Sequence, residues 1–354
     1  MISIRDLRSV VFLLGVIALS ACQVSSTRHL DPIPPATLSL MASRGMTPSD
    51  PILIRAYKME AEMEVWKRGA DGRYALLKTY PVCRWSGQLG PKVREGDRQT
   101  VEGFYTITPA QMNPNSAYYL SFDTGFPNSF DRANGRTGSY LMVHGTCSSM
   151  GCFAMTDETI SEIYALAREA FAGGQRGFQF QAYPFRMTAQ NLAKFRNDPN
   201  MPFWRNLKEG SDYFEVTRTE PQVGICGTRY AFGGPEIAEN ACNSAPNPAV
   251  AAKQMTDEHR AAALAAGGLS PVRLVYKDGG QNPVFRPAVL AKAQSDEGGT
   301  PYSAKEYGRR DLGEVSRPEA LINAPQEVPQ PTDPRTEHGL AASRDGQIGS
   351  IGRP

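Results

Sequence analysis

The stretch Tyr140–Met155, YLMVHGTCSSMGCFAM, decides how this chain reads. It opens with the apolar run Tyr140–Val143, which has strand character. His144 and Gly145 follow, then the polar bend Thr146–Ser149, then Gly151 with Cys152 behind it. A helix is predicted from Thr156, because Asp157 and Glu158 fill its first turn. A histidine leaving a strand and a cysteine shortly before a helix thus share one short loop, eight positions apart. That arrangement suits a nucleophile. A free cysteine near neutral pH is only a few per cent thiolate, and a neighbouring imidazole raises that fraction.

Composition narrows the choice of base. The chain has only four histidines, His29, His144, His259 and His338. Three of them lie in segments that read as linker or tail, which leaves His144. The 354 residues are 41% hydrophobic, enough for one large or two modest domains. A net charge of +2, with no repeat of aromatic and basic side chains, gives no reason to expect nucleic acid.

The run V-H-G-x-C-x-S-x-G-C-F-A-M-T-D over Val143–Asp157 resembles the active-site signature of the L,D-transpeptidase (YkuD-type) family, in its YafK-like branch. The resemblance extends over roughly Ile52–Phe232. It is carried further by KTYPVCRWSGQLGPKVREGDRQ (78–99), EGFYTITPAQMNPNSAYYLSF (102–122) and the residues Phe130–Gly145. One departure stands out: where many relatives carry a second histidine, two residues before the cysteine, this chain has Met150.

The resemblance implies a mixed β-sandwich, mostly β with a few helices, acting on peptidoglycan stem peptides at the bond following the L-centre of diaminopimelate. Cys152 is then the nucleophile that forms a thioester, and His144 the base. The carbonyl of Gly145 orients His144 in place of a carboxylate, and the Gly151 N–H, with that of Cys152, receives the oxyanion. An amine acceptor gives transpeptidation, linking stem to stem or stem to protein. Water gives the alternative, a hydrolase that releases a wall-linked lipoprotein. A second alternative is a wall-binding lipoprotein without catalysis. No cofactor and no metal is called for.

Arg84, Arg94, Arg132 and Arg136 are candidates for holding stem-peptide carboxylates, since guanidinium suits bidentate carboxylate recognition; Ser149 is counted with the substrate-binding residues. Tyr118, Tyr119 and Trp85 read as core. Cys147 admits three readings: a packed side chain, a disulfide partner of Cys152, or a zinc ligand in H-x₂-C-x₄-C with His144 and Cys152.

Around this centre the chain divides as follows. Residues 1–21 have a short positive region and the apolar stretch Val10–Leu19, a signal peptide rather than a span. Leu19-Ser20-Ala21-Cys22 looks like a lipobox, with Cys22 as the acylated residue. The expectation is an exported, periplasmic protein, lipid-anchored to the outer membrane. Export makes disulfides available among Cys83, Cys147, Cys152, Cys226 and Cys242, an odd number that suits a free Cys152. Residues 23–50 read as a linker and 51–232 as the catalytic domain.

Within that domain, strands are expected over Ile52–Arg68 (two), Tyr74–Tyr80, Phe104–Thr108, Tyr118–Phe122 and Phe178–Tyr183. Ile160, Ile163, Tyr164, Ala167 and Phe171 mark one apolar helical face, ended by Gly173-Gly174. Helices are also expected over Ala189–Arg196 and Trp204–Glu209, with Phe214–Arg218 closing the sheet. Residues 233–293 read as an accessory segment, a helix over Pro248–Ala266 plus a hairpin over Val272–Phe285. Residues 294–354 read as a disordered tail.

Overall fold

Apolar side chains recurring from Ile52 onward build a meander of three strands, β1 (Ile52–Tyr57), β2 (Glu62–Arg68) and β3 (Tyr74–Pro81). A computed structural model describes residues 27–238, 241–243, 245–285 and 324–331. After β3 come β4 (Arg84–Trp85), β5 (Gly103–Ile107), β6 (Met112–Asn113), β7 (Ser121–Asp123), β8 (Met142–His144), β9 (Phe153–Ala154) and β10 (Phe178–Tyr183). One five-stranded sheet has the order β3-β2-β1-β10-β5, and the other β4-β9-β8-β7-β6. Phe122 and Phe153 from the second sheet meet Phe178 and Phe180 from the first, with ring centroids 5.6–6.1 Å apart. These edge-on aromatic pairs weld the two sheets into one core. The fold is β-rich with a few helices, as expected.

Among the described residues six helices surround the sheets: α1 (Pro35–Ser43), α2 (Ser129–Ala133), α3 (Asp157–Ala172), α4 (Ala189–Lys194), α5 (Met201–Thr217) and α6 (Pro248–Ala266). Thr156 caps α3, its hydroxyl accepting the Thr159 N–H. The predicted apolar face of α3 is buried at Ile160, Ile163, Tyr164 and Ala167.

Three expectations are corrected. The supposed linker is ordered from Thr27 onward: Ile33, Met41 and Met46 are buried, and Thr37 on α1 donates to Glu162 on α3. Its few apolar residues suffice because they share one docking surface. Phe214–Arg218 does not close the sheet; it ends α5, a single helix that absorbs the shorter one expected at Trp204. Val272–Phe285 is not a hairpin. β13 (Val272–Val275) pairs antiparallel with β14 (Gln326–Pro329), a strand from the supposed tail. Between the core and this pair lies the hairpin β11 (Gln222–Cys226) and β12 (Arg229–Gly233), tied to Cys242 through Cys226. The predicted signal segment and Cys22 lie outside the described residues.

One buried ion pair joins the core to the loop leading into β5. Lys58 Nζ and Glu102 Oε1 are 2.9 Å apart with both side chains fully buried. Lys58 also donates to the Gly90 and Thr100 carbonyls, and Trp204 Nε1 on α5 donates to Glu102 Oε2 at 2.9 Å. Burial lowers the Lys58 pKa from its ordinary value, and Glu102 works against that shift. Removing one partner strands the other charge in the core. Glu102→Ala is expected to destabilise the fold by about 3–5 kcal/mol, read by urea denaturation.

Candidate active site

β8 and β9 run parallel, with Val143 opposite Phe153 and His144 opposite Ala154. Because side chains alternate along a strand, His144 and Cys152, the residue just ahead of β9, fall on the same face. Only Gly145–Cys152 connects the strands, whereas a parallel crossover ordinarily takes a dozen residues or more. So short a connection needs unusual backbone. Thr146, Cys147 and Gly151 all have positive φ, at 68°, 41° and 126°.

Several contacts hold that backbone in place. The Met155 N–H donates to the His144 carbonyl at 2.7 Å, and the Cys147 N–H to the Met155 carbonyl at 3.1 Å. Asp157 Oδ1 accepts the Thr146 N–H at 2.8 Å. Cys147 is bonded to Cys83, ahead of β4. Gly145 has no room for a side chain: a Cβ there would sit 2.5 Å from Asp157 Oδ1 and 3.0 Å from the Tyr118 carbonyl.

The disulfide Cys83–Cys147 corrects two of the readings of Cys147. It neither pairs with Cys152 nor remains available to zinc. With Cys226 bonded to Cys242, Cys152 is the free cysteine among the described residues.

His144 is buried, its ring packed on Tyr118 with centroids 4.6 Å apart. Nδ1 lies 2.6 Å from the Gly145 carbonyl. A carbonyl can only accept, so Nδ1 carries the proton and Nε2 keeps its lone pair. Burial pulls the imidazole pKa down to about 4, against the opposing pull of the Gly145 carbonyl. Burial likewise pushes the Cys152 thiol up to about 11, with the Asp123 carboxylate adding to the rise. The Met142 N–H, 3.4 Å from Sγ, and the Lys92 charge pull the other way. Near pH 7 the resting pair is therefore a neutral imidazole and a neutral thiol.

His144 and Cys152 line one cavity of about 330 Å³, with Tyr118, Lys92, Arg98 and Met142 among its walls. Tyr140 and Met150 also line it and are 75% and 58% exposed, enough to meet a ligand from solvent. Lys92 Nζ is paired with Asp97 Oδ1 at 2.6 Å. Met150 thus brings an apolar rim to the mouth.

The predicted carboxylate holders are elsewhere, which is a correction. Arg84 is fully buried and donates to the Asp278 carbonyl at 2.6 Å. Arg132 donates to the Pro127 carbonyl and borders a separate cavity beside Phe104 and Asn128. Arg136 is paired with Asp131 at 2.9 Å, and its guanidinium lies over the Phe130 and Phe203 rings. Arg94 is exposed and does not line the Cys152 cavity. The cations that do line it, Lys92 and Arg98, come from the polar loop between Trp85 and Gly103.

Ser149 is also corrected. It is fully buried, and its Oγ accepts the N–H groups of Cys152 (3.1 Å) and Gly151 (3.3 Å) while donating to the Cys152 carbonyl at 2.7 Å. It braces the loop from inside, and the Gly151 N–H points at it. Tyr118, expected in the core, lines the cavity instead. The Met142 N–H facing sulfur was not anticipated; the β8–β9 register, invisible in local sequence, places it there.

A family model described as the L,D-transpeptidase catalytic domain, YkuD, matches residues 54–173. The Escherichia coli (strain K12) protein named "Putative L,D-transpeptidase YafK" is 42% identical over 185 residues, covering 52% of this chain and 75% of that protein. Its namesake from Escherichia coli O157:H7 matches over the same shares. Among solved structures, the helical cell shape determining protein Pgp2 from Campylobacter jejuni is 16% identical. It covers 56% of this chain and 82% of its own, with a TM-score of 0.31. Bdellovibrio bacteriovorus Bd1075 is 14% identical, covering 49% and 76%, with a TM-score of 0.27.

The neutral resting pair has a direct kinetic signature. Thiolate is the species that reacts with iodoacetamide, so the Cys152 alkylation rate is expected to keep climbing through pH 9 toward its pKa of about 11. A plateau already reached below pH 7 would mean a preformed thiolate–imidazolium pair. Gly145→Ala, which drives a methyl group against Asp157, is expected to lower thermal stability, read by calorimetry.

Proposed function

This chain belongs to the YafK-like L,D-transpeptidase family, and from that premise we propose that it transfers an acyl group of a peptidoglycan stem peptide through a thioester on Cys152. The observation that carries this reading is the placement of a free cysteine and a tautomer-locked neutral histidine on one face of one cavity. A neutral imidazole is a competent base; a protonated one is not.

In the first step the Cys152 sulfur attacks the stem-peptide carbonyl while His144 Nε2 takes the thiol proton. Charge gathers on the carbonyl oxygen. The Gly151 and Cys152 N–H groups expected to receive it donate to Ser149 Oγ in the resting structure, at 3.3 and 3.1 Å. The carbon–nitrogen bond then breaks, and the His144 imidazolium returns its proton to the departing amine. Throughout, the Gly145 carbonyl holds Nδ1–H and stabilises the positive ring, the part an aspartate plays in other triads. In the second step an acceptor amine gives up a proton to His144 and attacks the thioester, and the thiol leaves.

Lys92 and Arg98 line the cavity, already paired with Asp97 and Asp278, and in this reading each shares its charge with a stem-peptide carboxylate. The partners in this reading are stem peptides and, for protein attachment, a wall-linked outer-membrane protein. Two disulfides suit an oxidising compartment. That supports an exported enzyme, and the lipobox-like Leu19-Ser20-Ala21-Cys22 is what supports a lipid anchor to the outer membrane through Cys22.

The test is mass spectrometry of peptidoglycan digests after incubation with the protein, using wall that carries free tetrapeptides and a linked lipoprotein. New diaminopimelate cross-links or protein-linked species, absent with Cys152→Ala, are expected. Lipoprotein released without new links would assign a hydrolase of the same thioester chemistry. Identical digests from wild type and Cys152→Ala would refute catalysis and leave a wall-binding protein. His144→Gln is expected to slow turnover by about 10²–10⁴-fold, measured on a defined stem peptide.

A further inference from the structure

The turn Asp278-Gly279-Gly280 lies beyond the matched segment 54–173, yet it sits against the back of the loop that carries the nucleophile. Asp278 is buried, with only 3% of its surface exposed. Its Oδ1 accepts the Gly87 N–H at 3.1 Å. Its Oδ2 accepts both Nε (3.2 Å) and Nη2 of Arg98. The backbone of the turn is stitched to the same segment. The Gly279 N–H donates to the Gly87 carbonyl at 2.7 Å, and Trp85 and Gly280 exchange N–H···O bonds of 3.0 and 3.1 Å. The approach is so close that a Cβ on Gly279 would lie 2.0 Å from the Trp85 carbonyl oxygen, and φ there is +72°.

The gripped loop in turn holds the nucleophile. The Ser86 N–H donates to Thr100 Oγ1 at 3.1 Å, and Thr100 Oγ1 donates to the Cys152 carbonyl at 3.2 Å. Ser86 Oγ donates to the Arg98 carbonyl at 2.8 Å and lies 3.1 Å from Ser149 Oγ. Ser149 is the brace on the Cys152 and Gly151 amides. Two limbs of one loop, Ser86–Gly87 and Arg98–Thr100, thus stand between Asp278 and Cys152, and Asp278 grips both.

We propose that Asp278 is a positioning residue for the acyl-transfer reaction: by clamping Gly87 and Arg98 it fixes the Ser86–Thr100–Ser149 support on which Cys152 sits, and it aims the Arg98 guanidinium along the cavity wall. The inference rests on the reading of Cys152 as nucleophile. Its physical basis is that charge-assisted hydrogen bonds are about twice as strong as neutral ones. A carboxylate bound to Arg98 and to an amide of the opposite limb therefore sets the spacing of the two limbs. The segment after β12 supplies part of the active-site scaffold.

The near-isosteric Asp278→Asn keeps the shape and removes the charge, so it separates positioning from packing. Asp278 Oδ2 also lies 3.6 Å from the buried Arg84, so Asp278→Asn is expected to melt below wild type while remaining folded at the assay temperature. Expected for the full chain, assayed below its melting transition, is a kcat lower by about tenfold to a hundredfold, with KM changed much less. Iodoacetamide alkylation of Cys152 is expected to speed up by about threefold or more as the loosened loop exposes the thiol. A merely structural role would not give slower turnover and a faster-reacting thiol in protein that is still folded. In a Ser149→Ala background, Asp278→Asn is expected to cost less than it does alone, since the two act through one support.

An Asp278→Asn variant folded at the assay temperature, with wild-type kcat and wild-type alkylation, overturns the proposal. If that variant does not fold, Arg98→Lys decides, because it keeps a cation in the cavity and loses the forked grip on Asp278. The same pair of changes supports the clamp, and their absence refutes it. If wild type itself turns over no stem peptide, the proposed function fails, while the alkylation rates still decide whether Asp278 positions the thiol.

Discussion

Two parallel strands joined by eight residues leave the chain little freedom, and the active site inherits that constraint. The crossover from His144 to Phe153 is closed by left-handed backbone at Thr146, Cys147 and Gly151, by the Cys83–Cys147 bond, and by Asp157 reaching back from the first turn of α3. Its register places a histidine and a cysteine on one face with no helix or long loop between them. Gly145 is where the constraint is tightest. Its missing side chain leaves room for Asp157 and the Tyr118 backbone, and its carbonyl fixes the proton on the neighbouring imidazole. A single small residue thus serves both packing and chemistry.

The same tight packing sets the electrostatics. A buried imidazole with a carbonyl partner favours its neutral form, because a carbonyl offers a hydrogen bond without the full negative charge that would stabilise an imidazolium outright. The half-buried thiol, donating to the Tyr140 carbonyl at 3.7 Å, favours its neutral form as well. A neutral thiol is also the slower one to oxidise, since the thiolate is the form that oxidises, and Cys152 remains free beside the Cys83–Cys147 bond of its own loop.

Much of this was legible in the residues. The strand into His144, the cap and apolar face of α3, and β10 all follow from periodicity, which local sequence records well. That His144 and Cys152 share one cavity is legible because a short loop joins them and because histidine is scarce. What was hidden depends on long-range partners. Ile33, Met41 and Met46 look sparse in a proline-rich stretch until α3 and the sheet offer them one surface. Val272–Val275 finds its partner at Gln326–Pro329, a pairing with no local trace. Arg84 and Arg136 look like carboxylate binders until Asp278 and Asp131 claim them. Ser149 looks like a polar residue facing substrate, yet the tight turn points it inward, where the Cys152 and Gly151 amides need an acceptor.

Acyl transfer through a thioester on Cys152 can be caught by intact-protein mass spectrometry after acid quench of wild type with a stem tetrapeptide donor. Expected is a mass gain equal to the donor less its departing amine, located on the peptide containing Cys152, released by hydroxylamine and absent in Cys152→Ala. Turnover by Cys152→Ala at the wild-type rate, or an adduct mapped to a residue other than Cys152, would contradict it.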